Sequence, residues 1–185
     1  MLAANRLSGL TDKSGQEIYE LFFDSQLTGL FEEGKITPAQ FFSGVKEALN
    51  LRISYEEFLP IWNEIFFFSE KNLAVYNLAR SLKDRYRMVL LSNINVLHFE
   101  YVKKTFPVLD AFHNILTSFE AGFIKPRPEI YRKALAMLDS PPQEVFYTDD
   151  RQELIDGARK LGIQGFVFKG VEQLKRDLEN LKIYA

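Results

Sequence analysis

The chain has no cysteine in its 185 residues. That excludes disulfides, thiol nucleophiles and cysteine-based metal centres, and it fits a reducing, cytoplasmic setting. Histidine is nearly as scarce: His98 and His113 stand alone, and each reads as a structural or solvated side chain rather than a ligand. No apolar run approaches the roughly 20 residues of a membrane span. Met1–Gly15 shows no apolar secretory core, so no membrane association is expected. Neither sign of charge dominates, since 23 basic residues against 25 acidic ones leave a formal charge of −2. With no basic stripe, nucleic acid is excluded as a partner. Internal repeats and low-complexity segments are absent as well.

Phenylalanine is plentiful, at 17 residues, which means large payloads for a core. The length is enough to bury one such core in a domain, with room for an insertion. Residues 1–70 read as helices joined by short turns. Gly15–Phe23 carries Ile18, Leu21 and Phe22 at helical spacing, and Leu27–Phe31 forms another turn before Gly34. Thr37-Pro-Ala-Gln40 and Ser54-Tyr-Glu-Glu57 are capping boxes that open two more helices, and Pro60 is expected to kink or break the second. The run Phe66-Phe67-Phe68 is expected to pack into the helical core rather than line a pocket.

From residue 71 the pattern changes. A helix over Leu73–Leu82 leads to Met88–Leu91, a continuous apolar run of the kind found in strands buried on both faces. A helix through Phe99 and Val102 ends at Pro107, and Ile115–Ser118 makes a second strand. Gly122–Pro128 is a stiff, proline-rich loop. A helix from Glu129 to Leu138 follows, then a strand from Val145, a helix through Leu154 and Leu161, and a strand over Gly165–Phe168. Alternation of this sort predicts an α/β fold with a doubly wound parallel sheet over residues 71–185, carrying an N-terminal helical subdomain over 1–70.

In such a sheet the loops after successive strands share one edge, where ligands bind. Three chemistry-bearing loops would meet there: Ser92-Asn93, Lys125, and Asp149-Asp150. A hydroxyl and backbone N–H groups bind a phosphoryl oxygen, a lysine offsets its charge, and adjacent carboxylates suit Mg²⁺, a hard cation that takes one or two carboxylates plus waters and phosphate oxygens. Each residue also has a plain structural reading: Ser92-Asn93 and Asp149 as helix caps, Lys125 as a solvated loop lysine.

The segments Val89-Leu-Leu-Ser-Asn-Ile-Asn95, Gly122-Phe-Ile-Lys-Pro-Arg-Pro-Glu-Ile-Tyr131 and Val145-Phe-Tyr-Thr-Asp-Asp-Arg-Gln-Glu153, running on to Gly162, resemble the second, third and fourth motifs of the haloacid dehalogenase (HAD) superfamily, in its helical-cap, phosphatase-like branch. The resemblance implies a Rossmann-like core with residues 1–70 as the cap. It implies phosphoryl binding by Ser92 and the Asn93 backbone, and Lys125 as a catalytic and phosphate-binding lysine. Asp150, assisted by Asp149, would be a ligand of Mg²⁺, and the substrate would be a small phosphorylated metabolite.

The chain departs from the family in two places. Leu154 stands where similar sequences often carry Asn, and nothing in Met1–Gly15 resembles the first motif, a strand ending in Asp-x-Asp whose first aspartate is the nucleophile. In the family that strand lies between those bearing the second and fourth motifs. Without it, unpaired strand edges would cost about 1–3 kcal/mol per buried group, against a net stability of about 5–15 kcal/mol. A preceding segment, a rearranged strand order or a strand from a partner chain is therefore expected, in a monomer or homodimer. This chain alone is expected to be inactive. The alternatives are a non-catalytic phosphate-binding or interaction protein with a relict site, and a metal-independent haloacid dehalogenase.

Overall fold

The computed structural model describes residues 6–7, 9–23 and 25–184. Part of Met1–Gly15, from which a strand and a secretory core were read as absent, lies outside the described residues.

Four helices gather the first core: α1 (Gly15–Phe23), α2 (Gln26–Glu32), α3 (Pro38–Ala48) and α4 (Tyr55–Asn63). Both anticipated capping boxes form, Thr37 with Gln40 and Ser54 with Glu57. They fix the starts of α3 and α4 and turn Phe41, Val45, Phe58 and Trp62 inward. Phe31 stacks on Phe41 with ring centroids 4.3 Å apart, and Phe22 meets the edge of Trp62 at 4.7 Å. Pro60 does not break α4, because Ile61 and Trp62 are drawn into this core just beyond it. The run Phe66-Phe67-Phe68 corrects the reading from sequence. It lies in a loop after α4, Phe67 is 71 % exposed, and Phe66 lines a cavity.

Beyond α5 (Glu70–Lys83), strand and helix alternate: β1 (Val89–Ser92), α6 (Val96–Thr105), β2 (Asn114–Thr117), the single turn α7 (Ser118–Ala121), α8 (Pro128–Leu138), β3 (Phe146–Asp149), α9 (Gln152–Arg159), β4 (Gln164–Val167) and α10 (Val171–Asn180). The strands fall within one residue of their expected positions. Residues of α8 and α9 cover one face with Val89, Leu91 and Tyr147, while α5 and α10 close on the other with Met88, Phe146 and Phe168. The fold is α/β with parallel strands wrapped on both faces, as the alternation demanded.

The sheet itself is in two halves. β1 pairs with β2 in parallel, Val89 opposite Asn114 through Ser92 opposite Thr117, and β3 pairs with β4, Phe146 opposite Gln164 through Asp149 opposite Val167. Among the described residues no ladder joins the halves. The division falls between β1 and β3, where the family resemblance puts the first-motif strand. β1 is accordingly half-buried along its length, rather than buried on both faces.

The helical unit meets the α/β unit at two tight points. Gly34, at φ +67°, sits so close to α7 that a side chain there would press into the Phe119 carbonyl. His98 of α6, 5 % exposed, stacks on Trp62 at 4.3 Å and takes the edge of Phe66 at 4.9 Å. Its Nε2 donates to the Trp62 carbonyl and its Nδ1 accepts from Asn95 Nδ2, both at 3.0 Å. Burial holds the imidazole neutral, with its pKa pushed down from 6.5 to about 4 against the smaller upward pull of the Trp62 carbonyl.

The unfolded chain takes up a proton below pH 6.5 that folded His98 refuses until about pH 4. Its contribution to stability is therefore complete above pH 6.5 and lost as the pH falls toward 4. Between pH 7 and pH 5 the loss should be roughly 2 kcal/mol, read as a falling urea midpoint by tryptophan fluorescence. In His98→Gln the fall over that interval should largely vanish, whatever the variant's stability at pH 7.

Candidate active site

The ends of β1 and β3, the loop before α8, and the helices α1, α2 and α4 enclose a cavity of about 640 Å³. Its floor holds every residue picked out from sequence: Ser92, Asn93, Lys125, Asp149 and Asp150.

Lys125 is the hub of that floor. It is 7 % exposed, so the reading of a solvated loop lysine does not apply. Its Nζ donates to the Leu91 carbonyl on β1 at 3.0 Å and to Asp149 Oδ2 at the end of β3 at 2.6 Å. Its backbone is clamped by the Asn93 side chain: Lys125 N donates to Asn93 Oδ1 at 2.7 Å, and Asn93 Nδ2 donates to the Lys125 carbonyl at 3.1 Å. The loop is also wedged from behind. A Cβ on Gly157 of α9 would come within 2.8 Å of the Pro126 side chain, so only glycine lets α9 approach so closely.

The β1–α6 loop is pinned with equal economy. Ser118 Oγ accepts from Ile94 N at 2.9 Å and donates to the Ile94 carbonyl at 3.1 Å. Asn95, not Ser92 or Asn93, caps α6 by accepting from His98 N. That leaves the half-buried Ser92 hydroxyl without a hydrogen bond to any described residue, on the cavity wall.

Asp149 and Asp150 differ sharply. Asp149 accepts from Lys125 Nζ, from Tyr147 OH at 2.7 Å and from Arg151 N at 3.2 Å. Burial pushes its carboxyl up, but the Lys125 charge and these hydrogen bonds outweigh it and hold the group below the usual range. For Tyr147, burial and the neighbouring Asp149 carboxylate drive the phenol up, so it stays a neutral donor. Asp150 is exposed and takes no hydrogen bond from any described residue. No cluster of three acidic or histidine side chains occurs among the described residues. The donor set still fits Mg²⁺, which needs few protein carboxylates when phosphate and water complete its shell. Asp150 is free to serve it, and Asp149 is engaged first by Lys125.

The upper wall carries residues that the sequence reading did not assign to the site. Trp62, Phe66, Phe22 and Ile65 line it, and Tyr19 and Phe23 stand at the mouth, each 51 % exposed, with rings 4.7 Å apart. Glu32, at the end of α2, also faces this cavity. Burial pushes its carboxyl above the usual range, opposed by the nearby charges of Arg151 and Lys125. Periodicity gives no sign of Glu32, whose neighbour Glu33 instead pairs with Arg127 at 3.5 Å.

Residues 55–162 match the family model of the haloacid dehalogenase-like hydrolases. The chain is 28% identical over 148 residues to a D-ribitol-5-phosphate phosphatase of Bacteroides thetaiotaomicron, covering 75% of this chain and 71% of that protein. It is 25% identical to a sesquiterpene phosphatase of Aspergillus oryzae, over 73% of this chain and 68% of the relative. Among solved structures, a HAD family enzyme of B. thetaiotaomicron in complex with magnesium and inorganic phosphate superposes with a TM-score of 0.78 at 28% identity, over 91% of this chain and 86% of that one. A HAD-like hydrolase of Porphyromonas gingivalis, 19% identical, shares the fold with a TM-score of 0.82 over 100% of this chain and 90% of its own.

Removing one partner of a buried ion pair strands the other. Lys125→Met should cost about 3–5 kcal/mol in urea unfolding, because Asp149 would keep a buried charge. Adding Asp149→Asn to that variant should recover a large part of the loss, since no uncompensated charge is then left inside.

Proposed function

We propose that this chain, which belongs to the haloacid dehalogenase-like hydrolases, carries the phosphate-gripping site of a Mg²⁺-dependent phosphohydrolase for small phosphorylated metabolites. The observation that carries this reading is the convergence of Ser92, Lys125 and Asp150, far apart in the chain, on one cavity floor. The phosphatases among its relatives, and the related enzyme crystallised with magnesium and phosphate, support it.

In this reading Ser92 Oγ and the Asn93 backbone N–H hold phosphoryl oxygens. Lys125, with two of its three N–H donors turned to Leu91 and Asp149, keeps the third for the phosphoryl group. Asp149 fixes the direction of that ammonium and excludes its loss to solvent. Asp150, with Asp149 beside it, would hold Mg²⁺. When bound, the metal supplies positive charge against the phosphoryl oxygens. No helix among the described residues is long and apolar enough to cross a membrane, and the cysteine-free composition suits a cytoplasmic enzyme.

The nucleophile belongs, in the same reading, on a strand seated between β1 and β3 and ending in aspartate. Among the described residues the cavity-lining acids are Glu32, Asp149 and Asp150, and none ends such a strand. The chain alone should therefore not turn over. The adjacent acids at the end of β3 favour phosphoryl transfer over metal-free dehalogenation, which gives a cation site no use.

Two measurements test this. An aryl phosphate with Mg²⁺ should be hydrolysed by a chain extended with an N-terminal strand ending in Asp-x-Asp, and not by the chain alone. Silence from both would count against the phosphatase. By calorimetry the chain should bind Mg²⁺ in the presence of phosphate, and Asp150→Ala should abolish that binding. A chain that binds no Mg²⁺ would point to a relict site.

A further inference from the structure

Resting on the phosphatase reading and narrowing it, we propose that Tyr147 is a positioning residue. Its hydroxyl keeps Asp149 committed to Lys125, so that Asp150 alone is left to meet Mg²⁺. Tyr147 does not line the cavity, so it acts through the carboxylate two residues on. Side chains at i and i+2 of a strand share a face, which sets the phenol of β3 beside Asp149.

Three donors fix that carboxylate. Oδ2 accepts from Lys125 Nζ at 2.6 Å and from Tyr147 OH at 2.7 Å, and Oδ1 accepts from Arg151 N at 3.2 Å. The Tyr147 ring is itself held in place. Tyr131, 1 % exposed, meets it edge-on at 5.8 Å and donates its own hydroxyl to the Leu154 carbonyl at 2.7 Å. Lys125 Nζ also stands over the Tyr147 ring, 5.8 Å from its centre. One phenol therefore contacts both members of the ion pair.

Packing gives no reason for the hydroxyl. Phenylalanine would fill the same place in the core between α8 and α9, and would spare it a buried polar group. The cavity does give a reason. Two cations, an ammonium and Mg²⁺, are to be neutralised on a floor that offers two adjacent carboxylates. Held by Lys125 and Arg151 N alone, Asp149 could turn to the divalent ion, whose charge attracts it more strongly. Lys125 would then lose its counter-charge beside a second cation. The Tyr147 hydroxyl adds a bond that such a turn must break, so each cation keeps its own acid.

Calorimetry and nitrogen NMR of the Lys125 ammonium test this on the native chain and on Tyr147→Phe, which removes only the hydroxyl. Mg²⁺ should shift the Lys125 resonance far more in Tyr147→Phe than in the native chain. With Mg²⁺ in excess, the variant should bind inorganic phosphate roughly tenfold more weakly, the scale of one lost hydrogen bond to a charged group. In an Asp149→Asn background the same substitution should change phosphate affinity little, because the group it acts through is gone. A packing defect would instead weaken both backgrounds alike. The resonance needs no second substitution, so it decides the matter even where Asp149→Asn does not fold. Unaltered phosphate binding in Tyr147→Phe, equal Mg²⁺ shifts of Lys125 in the two proteins, or a loss that persists with Asp149→Asn would overturn the role of Tyr147 and leave the phosphate site standing. A native chain that binds neither Mg²⁺ nor phosphate would overturn both readings at once.

Discussion

One ammonium group joins what the backbone leaves apart. β1 and β3 share no ladder, and each has a single strand partner among the described residues. Lys125 Nζ bonds a carbonyl of the first and a carboxylate at the end of the second. An unpaired carbonyl at a strand edge and a half-buried carboxylate are both costly when left alone. A lysine between them satisfies each while its own charge is offset. Neighbouring groups then hold the pair's geometry. Asn93 clamps the Lys125 backbone, Tyr147 donates to the same carboxylate oxygen, and Gly157 admits α9 against Pro126. The site is rigid because its parts are bound to one another before any ligand arrives, which is the condition for electrostatic stabilisation without reorganisation.

The helical unit is anchored to this floor by packing, with one ion pair, Glu33 to Arg127, beside it. His98 is the joint. Its ring lies between Trp62 and Phe66, while Asn95, which orients it, also caps α6 in the loop that carries Ser92 and Asn93. Movement of α4 would thus be felt in the β1–α6 loop through one imidazole. Gly34 makes the second joint, where the chain leaves α2 against the Phe119 carbonyl. Both joints lie beside Glu32 and Trp62, on the helical wall of the cavity.

Most of the fold was legible because its signals are local. Capping boxes at Thr37 and Ser54, apolar runs ending in polar tips, and prolines after helices each depend on a few neighbouring residues, and the structure keeps them. The floor of the site was legible for a related reason: parallel topology brings strand-end loops together whatever their distance in sequence. What failed depended on packing between distant segments. Phe66-Phe67-Phe68 has helical composition but follows the end of α4, and only the position of α6 decides that Phe66 faces His98 and the cavity. Glu32 is one of two adjacent glutamates before a glycine. Which of them faces the cavity is set by the meeting of α2 and α7, and no periodicity records it. The half-burial of β1 was hidden in the same way, because an apolar run gives no information about the edge it lacks.

The division of the sheet and the chemistry of the floor are one problem rather than two. A strand seated between β1 and β3 would bring its own N–H groups to the Leu91 carbonyl, which Lys125 now serves. It would thereby return that donor to the cavity, while Asp149 kept the amine directed toward the floor. Lysine suits this double duty where arginine would not, because a compact ammonium on a flexible stem can exchange one acceptor for another without reorienting a planar fork. The same side chain that joins the divided sheet thus also faces the cavity. An ion pair that served the fold alone would have no need of a hydroxyl and a free carboxylate left unpaired on either side of it.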